Sequence, residues 1–327
     1  MINFCTNSEN VSTILDKAFS KNRPRIGLGT GDLFGDGDAR TKSARVIDSA
    51  FDAGYRYFDT ARLYGDGSAE AVLGACLNGK RDQVVLTSKA GIIPWRMRTR
   101  ARITHKVSRT FKKLKISVPD VPPSELMGAF APAQIKLSVE RSLRELKTDY
   151  LDILLLHECT LADIQEDKLL RTLEALIQAG KTRAVGFAAT SNEIIRIQNA
   201  GIRAPIVQAP NDALNQQVTS YHIADEQQFF SHSSLRPILP FMANKYAEDK
   251  SFADQFRTQT SVDPGDVSDL VTLLLAIELN RNVQGVTLFS SLNPERLANQ
   301  MQQINTRNFT LTQLESAERL IRNARSV

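Results

Sequence analysis

The feature that most constrains the fold of this chain is a regular alternation of short apolar stretches with stretches of helical periodicity. Eight apolar stretches have the length and composition of buried strands. They lie at 25–31, 55–57, 84–89, 150–157, 182–187, 206–208, 235–241 and 283–289. Strands that alternate with helices predict a parallel sheet with crossover helices, and eight units favour closure into a barrel over an open sheet.

The helical stretches between these strands complete the predicted domain. They lie at 39–53, 68–77, 133–146, 168–179, 192–200, 221–231, 267–279 and 294–302, and one more at 311–324 follows the last strand. Ser68 has the residue type of an N-cap, and Gly180 that of a C-cap. A loop over 90–132 interrupts the alternation, and loops of that length are usually functional or disordered.

Length and composition set the class of protein. The 327 residues suit one barrel domain over 24–327 with an N-terminal extension over 1–23, although two smaller domains also fit that length. Hydrophobic residues make up 42% and charged residues 24%, which is normal for a globular protein. Three separated cysteines fit free thiols, and neither a signal peptide nor a metal-binding spacing is evident. We therefore expect a cytoplasmic protein without a metal.

Polar side chains follow three of the predicted strands. Asp59 follows the second strand, Lys89 ends the third and His157 ends the fourth, while Tyr64 falls in the loop after Asp59. In a parallel barrel the C-terminal ends of all strands meet at one end, here called the mouth, where barrel enzymes keep their catalytic groups. These four side chains are therefore expected to converge. The alternative is that Asp59 and Lys89 form only a structural ion pair.

The motifs around these residues resemble those of the aldo-keto reductase superfamily. The chain reads FDTARLYGDGSAEAVLG over 58–74, TSK over 87–89 and YLDILLLH over 150–157. The resemblance extends from about Arg25 to the C-terminus. It implies a (β/α)8 TIM barrel, a nicotinamide cofactor and carbonyl reduction, with Asp59, Tyr64, Lys89 and His157 as the catalytic tetrad.

The chemistry of carbonyl reduction gives each member of this tetrad a role. A carbonyl that accepts a hydride becomes an alkoxide and needs a proton. Tyr64 is expected to donate it, and the Lys89 ammonium to lower the pKa of Tyr64. Asp59 would keep Lys89 charged and oriented, and would also border the cofactor. His157 would hold the carbonyl oxygen.

Several positions are expected to bind the nicotinamide half of the cofactor. Gly29 and Thr30 end the first strand, where glycine permits a close backbone approach, although no GxGxxG motif is present. By the resemblance, Gln208 holds the carboxamide, while Ala188–Ala189 replace a Ser-Asn pair. An aromatic residue after the seventh strand should stack on the nicotinamide, and Phe241 is the candidate; core packing is its alternative role.

The phosphate-binding end of the cofactor site is predicted near the C-terminus. By the resemblance, Ser290 replaces a lysine, Ser291 and Arg296 are retained, and Asn299 with Gln300 replaces a Glu-Asn pair. An arginine fork binds phosphate in a bidentate manner, which favours NADP(H) over NAD(H).

A basic stretch over 95–115 departs from the family pattern. It reads WRMRTRARITHKVSRTFKKLK, with nine Lys or Arg and no acid. It is either a solvated lid or an anion site for the substrate, formed first by Trp95, Arg96, Arg98, Arg100 and Arg102. No nucleic-acid motif accompanies the charge, so no nucleic-acid partner is expected.

The sequence therefore predicts an oxidoreductase that uses NAD(P)H on an aldehyde, a ketone or a sugar hemiacetal, with an anionic substrate as one option. The alternative is a non-catalytic nicotinamide-binding sensor or accessory subunit on the same barrel. Neither a membrane nor a nucleic acid is an expected partner, and the sequence does not indicate the oligomeric state.

Overall fold

The fold is a closed barrel of eight parallel strands. The computed structural model describes residues 9–19, 23–35, 37–94, 127–213 and 227–325, and the backbone of residues 2–3. The barrel strands are β1 (Ile26–Gly29), β2 (Tyr57–Asp59), β3 (Val85–Ala90), β4 (Leu151–His157), β5 (Thr182–Ala188), β6 (Ile206–Pro210), β7 (Gln228–His232) and β8 (Val286–Phe289). Strand β8 pairs with both β7 and β1, which closes the barrel. The predicted (β/α)8 TIM barrel is confirmed.

The described helices comprise one before the first barrel strand and twelve that follow the strands. They are α1 (Val11–Asp16), α2 (Gly37–Asp52), α3 (Tyr64–Gly67), α4 (Ala69–Cys76), α5 (Pro132–Leu146), α6 (Leu161–Ile164), α7 (Asp167–Gln178), α8 (Ser191–Asn199), α9 (Ile238–Glu248), α10 (Lys250–Thr260), α11 (Val267–Arg281), α12 (Pro294–Thr306) and α13 (Leu311–Arg325). Outside the barrel, Ile2–Asn3 pairs in parallel with Ile202–Arg203. The extra C-terminal helix predicted at 311–324 is confirmed as α13, which packs on α10 and α11.

Side-chain alternation along the strands divides the apolar core into two layers. Inward residues such as Tyr57, Ile153 and Leu155 form one cluster inside the barrel, while outward residues such as Leu154 join the helices in another. Phe19, from the N-terminal segment, stacks on Tyr57 with the ring centroids 6.1 Å apart. Burial of each apolar side chain in these layers contributes about 2 kcal/mol of transfer free energy to folding. The N-terminal segment thus fills the barrel end opposite the mouth, and the domain boundary at residue 23 stays a prediction.

The prediction for the seventh strand is wrong. We expected a helix over 221–231 and a strand over 235–241, but the structure has β7 at Gln228–His232 and begins α9 at Ile238. A short apolar run can belong to a strand or to a buried helix, and periodicity alone does not separate the two. Pro240 lies in the first turn of α9, where a missing N–H is tolerated. The following helix, α10, was also missed.

The segment after β2 forms a tight turn. Tyr64 lies in the predicted loop, at the start of the four-residue turn labelled α3, in which Gly65 and Asp66 have non-helical φ values of 58° and 56°. A Cβ atom on Gly65 would clash with the carbonyl oxygen of Leu33, so glycine is required there. Ser68 stands at the N-cap position of α4, but its hydroxyl bonds the Gly35 N–H at 2.7 Å and the Gly65 carbonyl instead of capping the helix.

None of the helices that the structure describes is both long enough and apolar enough to cross a membrane.

Candidate active site

Strand geometry brings the predicted residues to the mouth of the barrel. Asp59 is the last residue of β2, His157 is the last residue of β4, and Lys89 lies one residue before the end of β3. Lys89 and Asp59 are almost completely buried, with exposed fractions of 1% and 2%. Tyr64 approaches from α3, so all four residues meet at one end of the barrel.

The Lys89 ammonium is the centre of this arrangement. It donates hydrogen bonds to the Asp59 carboxylate, to the Thr60 carbonyl oxygen at 3.2 Å and to the Tyr64 hydroxyl at 3.1 Å. An ammonium group has three donors, and these three acceptors satisfy all of them. Burial lowers the pKa of Lys89, but the charges of Asp59 and Tyr64 outweigh burial, and the pKa is raised overall. Lys89 therefore stays charged at neutral pH.

The pKa of Tyr64 differs from the expectation. Burial raises the pKa of the Tyr64 hydroxyl, and this effect exceeds the opposing one of the Lys89 ammonium. Our expectation of a lowered pKa took account of Lys89 but not of burial. In the free protein Tyr64 is thus a protonated phenol beside a cation, which is the form that can donate a proton.

His157 lies against Tyr64 at the mouth. The two rings meet edge to face, with centroids 5.9 Å apart and an interplanar angle of 89°. Burial, followed by the positive charge of Lys89, lowers the pKa of His157 to about 3. The imidazole is therefore neutral at physiological pH and can offer either a donor or an acceptor nitrogen.

Gln208, across the barrel on β6, and Thr30, which follows β1, fix the position of Asp59. The amide Nε2 of Gln208 donates to the second carboxylate oxygen of Asp59 at 2.8 Å. The Thr30 hydroxyl donates to the Asp59 backbone oxygen at 2.9 Å. Gln208 was predicted to hold a ligand carboxamide, and its amide nitrogen is engaged with Asp59 in this structure. Asp59 is thus held from both sides while it pairs with Lys89.

A groove of about 850 Å³ opens beside this cluster of four residues. Its lining includes Asp59, Tyr64 and Gln208, and also Ser290 and Arg296 from the segment after β8. His157 is not among the lining residues, although it contacts Tyr64. Tyr64 therefore stands between the groove and the part of the mouth that carries His157.

The predicted phosphate-binding residues are placed around the start of α12. Ser290 and Arg296 line the groove and are exposed. The Ser291 hydroxyl accepts a hydrogen bond from the Asn293 N–H at 3.1 Å, which shapes the turn before the helix. Asn299 is exposed and does not line the groove, whereas its neighbour Gln300 does.

The other predicted site residues have mixed outcomes. Gly29 lines the groove, and Thr30 is buried behind it. Phe241 lies on α9 rather than after a strand, packs against the cluster formed by α10, α11 and α13, and does not line the groove. Its predicted stacking role depended on the misplaced seventh strand. Trp95, Arg96, Arg98, Arg100 and Arg102 lie outside the described residues.

The sequence reasoning missed several polar residues of the groove, of which His232 and Arg236 are the largest. His232 is the last residue of β7, and Arg236 lies in the turn before α9; both line the groove. Burial, followed by the charge of Lys89, lowers the pKa of His232 to about 4, so this imidazole is also neutral at physiological pH. The sequence signal was the run Phe-Phe-Ser-His over 229–232. If this run had been assigned as a strand, its histidine would have been predicted at the mouth of the barrel, like His157.

Known proteins similar to this chain share its motifs and its fold. The model of the aldo/keto reductase family matches residues 25–226. The aldo-keto reductase YhdN of Bacillus subtilis is 32% identical over 176 residues, which cover 52% of this chain and 44% of that protein. The 6-dehydroglucose reductase of Agrobacterium fabrum is 32% identical over 159 residues, which cover 46% of each chain. The matches thus span less than half the length of these relatives.

A solved structure extends the likeness to most of the chain. An aldo-keto reductase from Klebsiella pneumoniae, solved in complex with NADPH, has a TM-score of 0.61 and is 22% identical, with 92% of both chains covered. Its similarity establishes the fold, while the family model carries the sequence relationship. The resemblance seen in the motifs is confirmed, and the chain belongs to the aldo/keto reductase family.

Proposed function

We propose that this protein is an NADP(H)-dependent oxidoreductase that interconverts a carbonyl compound and an alcohol, with Tyr64 as the proton donor. The observation that carries the proposal is the Tyr64 hydroxyl, held 3.1 Å from the buried Lys89 ammonium at one end of a groove. The reductase relatives from Bacillus subtilis and Agrobacterium fabrum support the same class of reaction.

The groove has the dimensions and the charge distribution that a nicotinamide dinucleotide requires. Its volume of about 850 Å³ lies within the usual range for small-molecule sites. Arg236 and Arg296 line it and would bind the phosphates, since guanidinium groups suit phosphate geometry. Gln208 and His232, near Asp59, would contact the nicotinamide end. When bound, the cofactor supplies or accepts the hydride.

The residues of the chain would then donate the proton to the substrate and stabilise the negative charge that develops. A carbonyl oxygen beside Tyr64 and His157 becomes negatively charged as hydride arrives, and the Tyr64 O–H gives its proton to that oxygen. The resulting phenolate lies 3.1 Å from the Lys89 ammonium, which stabilises it at once because Lys89 is already charged and oriented. The neutral imidazole of His157 would orient the carbonyl by a hydrogen bond.

The test is a turnover assay with Tyr64→Phe. The wild-type protein should oxidise NADPH in the presence of an aldehyde, and the variant should lose carbonyl reduction by roughly 100-fold or more, the usual scale for a general acid. NADPH affinity, measured by calorimetry, should change little because the missing hydroxyl faces the substrate. A variant that keeps near wild-type turnover would remove Tyr64 as the donor.

The same assay separates the enzyme from the non-catalytic alternative. A sensor or accessory subunit would bind NADPH but leave every aldehyde, ketone and sugar in the panel unchanged. The alternative is worth testing because Ala188 and Ala189 stand where the resemblance implies polar cofactor contacts, and both are buried. Binding without turnover in the wild-type protein would overturn the proposed reaction while leaving the cofactor site in place.

A further inference from the structure

Arg62 lies in the turn that joins two residues of the tetrad, Asp59 at the end of β2 and Tyr64 at the start of α3. Its side chain is only 3% exposed. An arginine is almost never fully buried unless its charge is paired. The turn that carries Tyr64 therefore places in the protein interior a cation that has no role in the proposed reaction.

Glu70, on α4, is the buried counter-charge of Arg62. Its side chain is 1% exposed, and one of its carboxylate oxygens accepts a hydrogen bond from the Arg62 guanidinium. The same guanidinium donates to the Glu145 carboxylate on α5 at 3.2 Å. Burial lowers the pKa of Arg62, but the charges of Glu70 and Glu145 outweigh burial, and the pKa is raised overall. Arg62 thus stays charged and is held by two helices.

The other carboxylate oxygen of Glu70 connects this ion pair to strand β3. It accepts a hydrogen bond from the Ser88 hydroxyl at 2.6 Å. Ser88 directly precedes Lys89, and side chains alternate along a strand, so Ser88 faces α4 while Lys89 faces the barrel interior. Glu70 therefore contacts both the strand that carries Lys89 and the turn that carries Tyr64.

The backbone of the turn is also bonded to β3, but less firmly near Tyr64. The Thr60 N–H donates to the Thr87 carbonyl oxygen at 2.9 Å, whereas the Arg62 N–H donates to the Lys89 carbonyl oxygen at 3.4 Å. The second distance exceeds the usual range for such a bond, which ends at about 3.2 Å. The side-chain pairing of Arg62 therefore supplies much of the attachment at the point where the chain turns toward Tyr64.

We propose that Arg62 is a positioning residue whose buried ion pair with Glu70 holds the turn over 60–64 against β3. This pairing keeps the Tyr64 hydroxyl within hydrogen-bonding distance of the Lys89 ammonium. The inference rests on the proposed carbonyl reduction, in which Lys89 stabilises the Tyr64 phenolate. Neither Arg62 nor Glu70 is among the described residues that line the groove, so the pair should affect the rate of reduction rather than cofactor binding.

The experiment changes the pair while the tetrad stays intact. Glu70→Gln keeps the shape of the side chain but removes the charge opposite Arg62, which is then drawn toward Glu145. Arg62→Met removes the cation itself. In both variants kcat for reduction of an aldehyde by NADPH should fall by about 10- to 100-fold, the scale for a displacement of up to about 1 Å. The KM for NADPH should change little.

The conservative variant tests whether the pairing is the cause. Arg62→Lys keeps a cation that can contact Glu70 but lacks the planar fork of the guanidinium. It should therefore retain more of the wild-type kcat than Arg62→Met. Each kcat is referred to the folded fraction of the protein, measured by circular dichroism under the assay conditions.

A second largely buried ion pair gives the matched control. Arg281 at the end of α11 pairs with Glu318 on α13, and neither is among the described residues that line the groove. Glu318→Gln should lower the urea midpoint of unfolding, because it leaves Arg281 without this buried counter-charge. It should leave kcat of the folded protein unchanged, which shows that a loss of stability alone does not slow the reaction.

The outcomes separate the inference from the function on which it rests. If the wild-type protein reduces no aldehyde with NADPH, the proposed function fails, and the inference fails with it. If the wild-type protein is active but Glu70→Gln and Arg62→Met keep its kcat, the positioning role alone is overturned. A higher KM for NADPH at unchanged kcat would also overturn it, because the pair would then act on cofactor binding.

A milder variant decides if the other two do not fold. Ser88→Ala removes the hydrogen bond between β3 and Glu70 and leaves the ion pair in place. It should lower kcat by about fivefold, the factor that corresponds to a typical hydrogen bond, at unchanged KM for NADPH. A wild-type kcat in Ser88→Ala would overturn the proposal that this connection positions Tyr64.

Discussion

The buried pair of Asp59 and Lys89 supports a quantitative prediction about stability. Both side chains are almost inaccessible to solvent, and Lys89 depends on Asp59 for its counter-charge. Asp59→Asn keeps the shape of the side chain but leaves the ammonium buried without a compensating charge. Removal of one partner of a buried pair usually costs about 3–5 kcal/mol, so the free energy of unfolding should fall by about that amount at neutral pH.

The loss of unfolding free energy in Asp59→Asn should depend on pH, and the pKa of Lys89 gives the direction of that dependence. Burial lowers the pKa of Lys89, and in the wild-type protein Asp59 and Tyr64 outweigh it, so the net shift is upward. The stability from this shift is fully present below the ordinary lysine pKa of about 10.4 and is lost as pH rises through the folded-state pKa. In Asp59→Asn burial dominates, the pKa falls, and protonated Lys89 destabilises the fold at neutral pH. The difference in unfolding free energy between the two proteins should therefore narrow as pH rises through the lowered pKa of the variant toward the raised pKa of the wild-type protein.

The assay is urea unfolding of the wild-type protein, Asp59→Asn, Lys89→Met and the double variant. Because the double variant removes both charges, its loss should be smaller than the sum of the two single losses by about 1–3 kcal/mol. Asp167→Asn is the matched control, since Asp167 pairs with Arg171 at 3.8 Å on the exposed face of α7. That change should cost less than about 0.5 kcal/mol.

The reasoning would be refuted by either of two results. A loss below about 1 kcal/mol for Asp59→Asn would mean that water or a structural rearrangement replaces the carboxylate, contrary to the burial cost expected for a charge. Additive losses in the double variant would mean that Asp59 and Lys89 act independently, although their side chains are in contact.

Two further predictions concern the cofactor and the stability of a helix end. Arg296→Ala should weaken NADPH binding by about 1.5–3 kcal/mol in calorimetry, the range for a hydrogen bond to a charged group, and should leave NADH binding unchanged. Equal losses for both cofactors would assign Arg296 a structural role. Lys147, the C-cap of α5, has a φ of 55°, so Lys147→Gly should raise the unfolding free energy by about 0.5–1 kcal/mol. Lys147→Ala keeps the unfavourable backbone conformation, so its unfolding free energy should not rise. If Lys147→Ala were stabilised as much as Lys147→Gly, backbone strain would not be the cause.

The convergence of the candidate catalytic residues could be predicted because three of them, Asp59, Lys89 and His157, stand at or next to strand ends. Once strands and helices alternate, the C-terminal ends of all strands face the same side, so Asp59, Lys89 and His157 converge whatever the details of packing. The position of Tyr64 was harder to predict, because it depends on the turn at Gly65. The family motif supplied that position, and the structure shows the physical reason in the contact between Gly65 and the Leu33 carbonyl.

The residues around β7 could not be predicted because local signals conflict there. Strand β7 is five residues long and includes the buried polar residues Gln228 and Ser231, whereas the more apolar stretch over 235–241 begins a helix. Barrel pairing, which is a long-range contact, decides which stretch becomes the strand. His232 and Arg236 were missed, and Phe241 was misplaced, for this one reason.

The direction of the pKa of Tyr64 also required the three-dimensional structure. A neighbouring lysine can be inferred from strand order, but the extent to which a hydroxyl is removed from water cannot. Burial is the larger effect at this site and reverses the expected sign. In the proposed reaction the two contributions would act at different stages: burial keeps the proton on the free tyrosine, and Lys89 would stabilise the oxygen after the proton has left.

The protonation states at the mouth restrict which group can supply a proton to a bound carbonyl. His157 and His232, with pKa values of about 3 and about 4, carry no transferable extra proton at neutral pH. The protons of Lys89 are held by Asp59, Thr60 and Tyr64, and its raised pKa opposes their release. Among the described residues that meet there, this supports the proposal that Tyr64 is the acid, since the Lys89 ammonium is already hydrogen-bonded to its oxygen and would stabilise the phenolate. The histidines are then free to act as neutral hydrogen-bonding groups, which is the state that burial imposes on them.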